Sequence, residues 1–367
     1  MNLVKALSVA IDSRTNVNIV GPPGCAKTAM VEAIARAHSR HLETLALSSR
    51  EPSDFGYPIV DQKTGHLRIA THGWVRRVLD AGDGIVFFDE LSTAAPAVQA
   101  IALRIIFGGY VGEDKLPPTT SYVTAMNPPG QAAGGYDLSA PLANRLCHIP
   151  WSLKSGDWTD GMISGFPDPA VYKLPAVWED FEPAARAQVA SFIRSKPACL
   201  LVVPEEDAKA GSAWPSPRTW HLSARVIAAV ASLGGDPDVE AILVGGLVGE
   251  GPAMEFLTWR KNLDLPDPEE FIAKPELFDK WYGKKAPRGD GIFTLLASVA
   301  ACIIQTTTKE RGAAGWAIMS AAARLGAKDI AAASVRALAR HKGIPTPPKD
   351  ILEPFKELMK AAGILPK

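Results

Sequence analysis

The sequence predicts an α/β fold, in which a mainly parallel sheet flanked by helices is followed by helices alone. Three observations carry that prediction. The first 150 residues alternate short apolar runs with helix-period segments. A glycine-rich turn joins the first of these runs directly to a helix, the connection of a strand-turn-helix unit. Beyond Pro150 the strand-like runs almost cease.

Element by element, "MNLVKALSVAIDS" reads as a first amphipathic helix, because it lacks the long apolar run and small-residue site of a signal peptide. "VNIV" (17–20) is a compact strand. "KTAMVEAIARAHSR" then places Met30, Val31, Ile34 and His38 on one helical face. Strands are expected at "TLAL" (44–47), "IVFF" (85–88), "SYVTAM" (121–126) and "RLCHI" (145–149). Between the second and third, "DQKTGHLRI" reads as a hairpin with Lys63, Thr64 and Gly65 in its turn. Trp74, beside Arg76 and Arg77, reads better as a buried helix residue than as a nucleic-acid stacking patch.

After Pro150, residues 151–175 are rich in Trp, Pro and Gly and read as an irregular linker. Helical patterns follow near 177–195, 218–233, 236–249 and 252–263, with one strand-like run, "CLLVV" (199–203). A loop region (265–291) leads to a last Ala-rich helical block at about 291–362. The expected division is an α/β domain at 1–150, a linker and helical region at 151–265, and a linker and helical extension at 266–367.

Lys plus Arg and Asp plus Glu both number 39, so no overall field draws the molecule to nucleic acid or an acidic membrane. The four cysteines form no CxxC pair, as fits a reducing, cytoplasmic setting, and the seven histidines show no metal-ligand spacing. The most apolar stretch, Ile292 to Ile304, is short of the roughly 20 residues of a bilayer crossing.

The chemistry is concentrated in "GPPGCAKT" (21–28). Such a loop turns backbone N–H groups inward and adds the positive end of the following helix, a site for phosphate. Lys27 would reach the β- and γ-phosphates of a nucleotide and the Thr28 hydroxyl would bind Mg²⁺. Ala26 stands where the general pattern has glycine; its methyl is tolerable if φ there is negative. "IVFFDE" delivers Asp89 and Glu90 at the C-terminal end of a strand, Asp89 for the Mg²⁺ shell and Glu90 to polarise an attacking water.

"GPPGCAKT", "FFDELSTAAPAVQ", "TAMNPPG" and "LANRL" occur in the order and spacing of the AAA+ ATPases, and the alanine before the lysine resembles the MoxR branch. The resemblance covers about residues 1–265. It implies a P-loop AAA+ core with a helical lid, and ATP and Mg²⁺ as ligands of Gly21, Pro22, Pro23, Gly24, Cys25, Ala26, Lys27, Thr28 and Asp89. It also implies that Asn127 is a sensor orienting the water beside Glu90, and that Arg145 is a finger presented to the next subunit, with Arg104 and the Arg76–Arg77 pair as weaker alternatives. Arg218, in "WPSPRTW", resembles the lid arginine that contacts phosphate of its own subunit. One departure stands out: Ser92 and Thr93 replace the Asn-Arg that many MoxR proteins carry after the Asp-Glu pair.

The expected function is that of an ATP-hydrolysing remodelling chaperone working as a ring, a hexamer by resemblance. Its implied partner is a protein client or adaptor, with a von Willebrand factor A domain as first candidate. A nucleic-acid motor or restriction-type translocase, and a non-hydrolysing switch, stay open as alternatives; the neutral charge disfavours the first, and intact Lys27, Asp89 and Glu90 argue against the second.

Overall fold

A computed structural model describes residues 2–128, 131, 135–285, 287–341, 343–345 and 355–356. Parts of "TAMNPPG" and of the last helical block lie outside these described residues.

The chain groups into two compact units. The first comprises Met1–Pro175, Leu201–Val226 and Leu233–Ala253. Its centre is a five-stranded sheet: β1 (Val17–Val20), β2 (His41–Ala46), β3 (Gly84–Asp89), β4 (Ser121–Met126) and β5 (Cys147–Pro150). The strands lie in the order β2-β3-β4-β1-β5 and all pair in parallel, Val17 facing Val123 on one side and Cys147 on the other. A parallel sheet is covered on both faces, which is why Ile85, Val86, Phe87 and Phe88 form an unbroken apolar run and are all fully buried.

Helices α1 (Asn2–Asp12), α2 (Lys27–His38), α3 (Gly73–Ala81) and α4 (Pro96–Gly108) cover it. Trp74 and Val75 of α3 and Val98, Ala102 and Ile105 of α4 share a core with Val86 and Phe88, so Trp74 is a packing residue. Arg77 forks onto the Glu43 carboxylate and Arg76 pairs with Asp80, which leaves neither as part of a free phosphate patch. The expected hairpin is present as Tyr57–Val60 paired with Leu67–Ala70, and Gly65 takes the positive φ of 72° that its turn requires.

A buried polar thread crosses the sheet. His148 on β5 has Nε2 3.0 Å from the Ala143 carbonyl oxygen, which can only accept, so the proton is on Nε2 and Nδ1 accepts from the Asn18 amide at 3.2 Å. Asn18 Oδ1 in turn accepts from Thr124 Oγ1 at 2.9 Å. Burial lowers the His148 pKa.

The second unit comprises Ala176–Leu200, Ile227–Ser232 and Met254–Lys367. Helices Gly289–Gln305, Lys309–Arg324 and Lys328–Arg340 bury Leu295, Val299, Ile303, Trp316, Met319, Val335 and Leu338 together. Gly315 permits the close approach, since a Cβ there would sit 2.7 Å from the Ile303 side chain.

Three expectations are corrected. "CLLVV" forms no strand: Cys199 ends a 3-10 turn from Pro197, Leu200 N closes onto the Pro197 carbonyl, and the following residues are irregular, with Val202 N bonded to the Pro215 carbonyl rather than to a strand. The linker 151–175 contains a helix, Ser155–Ser164, and the loop 265–291 contains Pro268–Ala273 and Leu277–Lys285. Among the described residues no helix is long and apolar enough to cross a membrane.

Candidate functional site

Parallel strands put all their C-terminal ends at one edge, and the chemistry-bearing residues collect there. Val20 pairs with Met126, so the loop after β1 and Asn127 after β4 leave the sheet side by side, with Gly21 N donating to the Met126 carbonyl at 3.2 Å. Asp89 ends β3 on the next strand over.

The turn 21–28 is shaped by two close approaches. A Cβ at Gly21 would lie 2.5 Å from the Trp151 carbonyl oxygen, so only glycine fits. The Trp151 indole N–H donates to the Cys25 carbonyl at 3.0 Å and braces the loop from β5. The expectation for Ala26 is overturned: its φ is +62°, in the left-handed region. The loop needs that dihedral to aim the helix, and alanine adopts it at a cost of about 1–2 kcal/mol. Helix α2 begins at Lys27 with no side-chain cap, so its first-turn N–H groups remain directed at the loop.

Lys27 is buried, and its ammonium donates to the carbonyls of Gly21 and Pro22 (2.7 and 2.9 Å) and to Asn127 Oδ1 (2.9 Å). The Thr28 hydroxyl donates to Asp89 Oδ2 at 2.6 Å. Thr28 and Asp89 thus set two hard oxygen atoms side by side, and they are the residues here that could hold a divalent cation. Glu90 is exposed and also left-handed, φ +57°; its carboxylate accepts a hydrogen bond from the Ser48 hydroxyl, just beyond β2. The structure thus brings Lys27, Thr28, Asp89, Glu90 and Asn127 together.

Arg145 and Arg218 lie elsewhere. Arg145 precedes Cys147, which pairs with Val17 at the start of β1, so it stands at the opposite edge of the sheet, a strand length of roughly 10–13 Å away from the loop. Arg218 is at the same edge, its Nη1 3.4 Å from Asn144 Oδ1. The buried Asn144 also accepts from Ser216 Oγ at 2.8 Å and donates to the Trp214 carbonyl at 3.2 Å. Arg218 thus lies away from the loop 21–28 of its own chain. Arg145 stacks over the Phe107 ring at 4.6 Å, with its Nε buried and lacking an acceptor. Burial and the nearby Arg218 cation both lower its pKa.

Ser48, Trp151 and Asn144 were not singled out from sequence. Ser48 carried one usable signal: a hydroxyl two residues past the strand that neighbours "FFDE".

Against known proteins, residues 16–146 match the family of the AAA domain (dynein-related subfamily). Protein MoxR of Methylorubrum extorquens is 31% identical over 107 residues, 28% of this chain and 30% of that protein, so the likeness spans under a third of the relative's length. A crystal structure of a candidate ATPase from Cytophaga hutchinsonii ATCC 33406 covers 66% of this chain and 79% of its own at 17% identity, with a TM-score of 0.44. So loose an overlay bears on neither mechanism nor partners.

Proposed function

We propose that this chain, whose residues 16–146 match the AAA domain (dynein-related subfamily) and which is similar to MoxR, hydrolyses ATP at a site shared between neighbouring copies. The observation that carries this reading is the division of the charged groups. Lys27, Thr28, Asp89, Glu90 and Asn127 occupy one edge of the sheet, and Arg145 with Arg218 the other.

In this reading the amides of 21–28 and the Lys27 ammonium hold the phosphates. Thr28 and Asp89 would hold Mg²⁺, which supplies positive charge against the phosphate oxygens when bound. Glu90 and Asn127 orient a water in line with the γ-phosphorus, and Glu90 draws off its proton. Arg145 and Arg218 of the neighbour then meet the charge gathering on the transferred group. Residues 1–150 serve as core, 151–265 as lid and 266–367 as extension. A ring, hexameric by the resemblance, would convert turnover into remodelling of a protein client or adaptor, with a von Willebrand factor A domain as first candidate. A cytoplasmic setting agrees with the free cysteines.

The test is Mg²⁺-dependent ATP turnover against protein concentration, for wild type and Glu90→Gln. Activity per subunit that rises with concentration, and a variant that binds ATP without turning it over, are expected. A wild type that binds ATP and stays inert at every concentration overturns hydrolysis by this chain alone.

A further inference from the structure

The helix Ser155–Ser164 is exposed along its whole length except at Gly161. It is anchored at both ends in its own unit: Trp151 bonds the phosphate loop, and Asp168 pairs with Arg36 at 2.9 Å. Between these anchors Trp158 (47% exposed), Met162 (60%), Ile163 (87%) and Phe166 (54%) face outward. Trp158 and Met162 lie four residues apart on one side of the helix, and Phe166, just past the left-handed Gly165 cap, folds back over Gly161, where an added Cβ would sit 2.2 Å from its ring. A helix of 10 residues with two glycines does not persist in water on its own merits. Its stripe of Trp, Met, Ile and Phe has the composition of an interface centre.

The opposite edge carries a surface of matching character. On α4 Arg104 and Phe107 lie three residues apart and exposed, Phe107 under the Arg145 guanidinium. Tyr110 is 40% exposed beneath Lys115 Nζ at 5.5 Å. Tyr110–Val111 pairs with Asp114–Lys115 in a short hairpin whose acids are engaged elsewhere, Glu113 with Ile69 N and Asp114 with Thr71 Oγ1. The patch is apolar rings rimmed by cations, while the helix is an apolar stripe flanked by Asp157 and Asp160.

We propose that the helix Ser155–Ser164, with Phe166 folded against it, docks onto the Phe107–Tyr110 patch of a second copy of this chain. The two surfaces lie at opposite edges of one domain, so the contact is head-to-tail and repeats from copy to copy. This rests on the shared-site reading above for its direction, since the same contact carries Arg145 towards the neighbour's phosphate loop.

The experiment is sedimentation velocity of the full chain over a concentration range, with and without Mg-ATP, for wild type, Ile163→Asp and Phe107→Asp. Circular dichroism confirms that each variant is folded, and a fluorescent ATP analogue reads nucleotide binding. Wild type is expected to assemble, and each variant to weaken assembly about 30-fold or more. A mixture of the two variants is expected to form dimers only, because each retains the surface the other lacks. Folded variants that assemble like wild type, or a wild type that stays monomeric throughout, overturn the proposal. Assembly is read without turnover, so a chain that assembles through these surfaces but binds no ATP upholds the docking and overturns the nucleotide reading. Loss of assembly in neither variant with normal ATP binding does the reverse.

Discussion

Two side chains hold left-handed backbone at the site, and they pull in different directions. Ala26 contributes no chemistry through its methyl, so Ala26→Gly is expected to raise unfolding stability by about 0.5–1 kcal/mol once the added freedom of the unfolded chain is subtracted. Denaturant unfolding measures it. Glu90 cannot be relieved in the same way: Glu90→Gly is expected to stabilise the fold and abolish turnover, the pattern of strain retained for function. Ser48→Ala removes the hydrogen bond on Glu90 and is expected to raise basal turnover roughly two- to tenfold with ATP affinity unchanged. These points also mark where sequence reading stops. Lys27 and Thr28 stood out because the glycine turn between a strand and a periodic helix is followed downstream by an apolar strand ending in Asp89 and Glu90. The dihedral at Ala26 was not, since an alanine carries no sign of the backbone it is made to adopt.

At the scale of elements, β1 and β5 are joined to the phosphate loop by contacts that admit little change. Gly21→Ala would drive a methyl into the Trp151 carbonyl, 2.5 Å away, and is expected to cost about 1–3 kcal/mol and to weaken nucleotide binding. The polar thread through β1, β4 and β5 makes stability depend on pH. His148 is neutral in the fold and its pKa lies below the ordinary value of about 6.5, so as pH falls through that value the unfolded chain takes up the proton first and stability declines. A protonated Nδ1 would face the Asn18 amide donor. Unfolding measured from pH 7.5 to 5 should show an acid-side loss that is shallower in His148→Gln. The core strands were legible because buried parallel strands are apolar on both faces, as "IVFF" is. Helix Ser155–Ser164 was missed because it buries only Gly161 in its own chain and reads as glycine and aspartate. "CLLVV" misled for the opposite cause: β-branched residues mark a strand only where an edge is free to pair with them.

For the whole molecule, the placement of Arg218 makes a prediction that separates the two readings of its role. If it serves the neighbour, Arg218→Ala mixed equally with Glu90→Gln recovers turnover at about a quarter of the sites, those pairing an intact Glu90 with an intact arginine. If it serves its own subunit, no mixture recovers anything. Arg145→Ala is expected to behave likewise, with a loss of about 10³-fold or more by itself. Which arginine acts where was not legible, because the sequence orders elements along a line and only the parallel pairing of Val17 with Cys147 shows that Arg145 stands at the far edge. Such mixtures also call for a way to see occupancy apart from turnover, and the molecule contains one. Trp151 is buried with its indole nitrogen bonded to the Cys25 carbonyl, so any shift of the loop around phosphate changes the environment of a fluorophore already in place. The emission difference between wild type and Trp151→Phe would then serve as an intrinsic optical signal of loading, readable in the stopped-flow time range without a label on either nucleotide or protein.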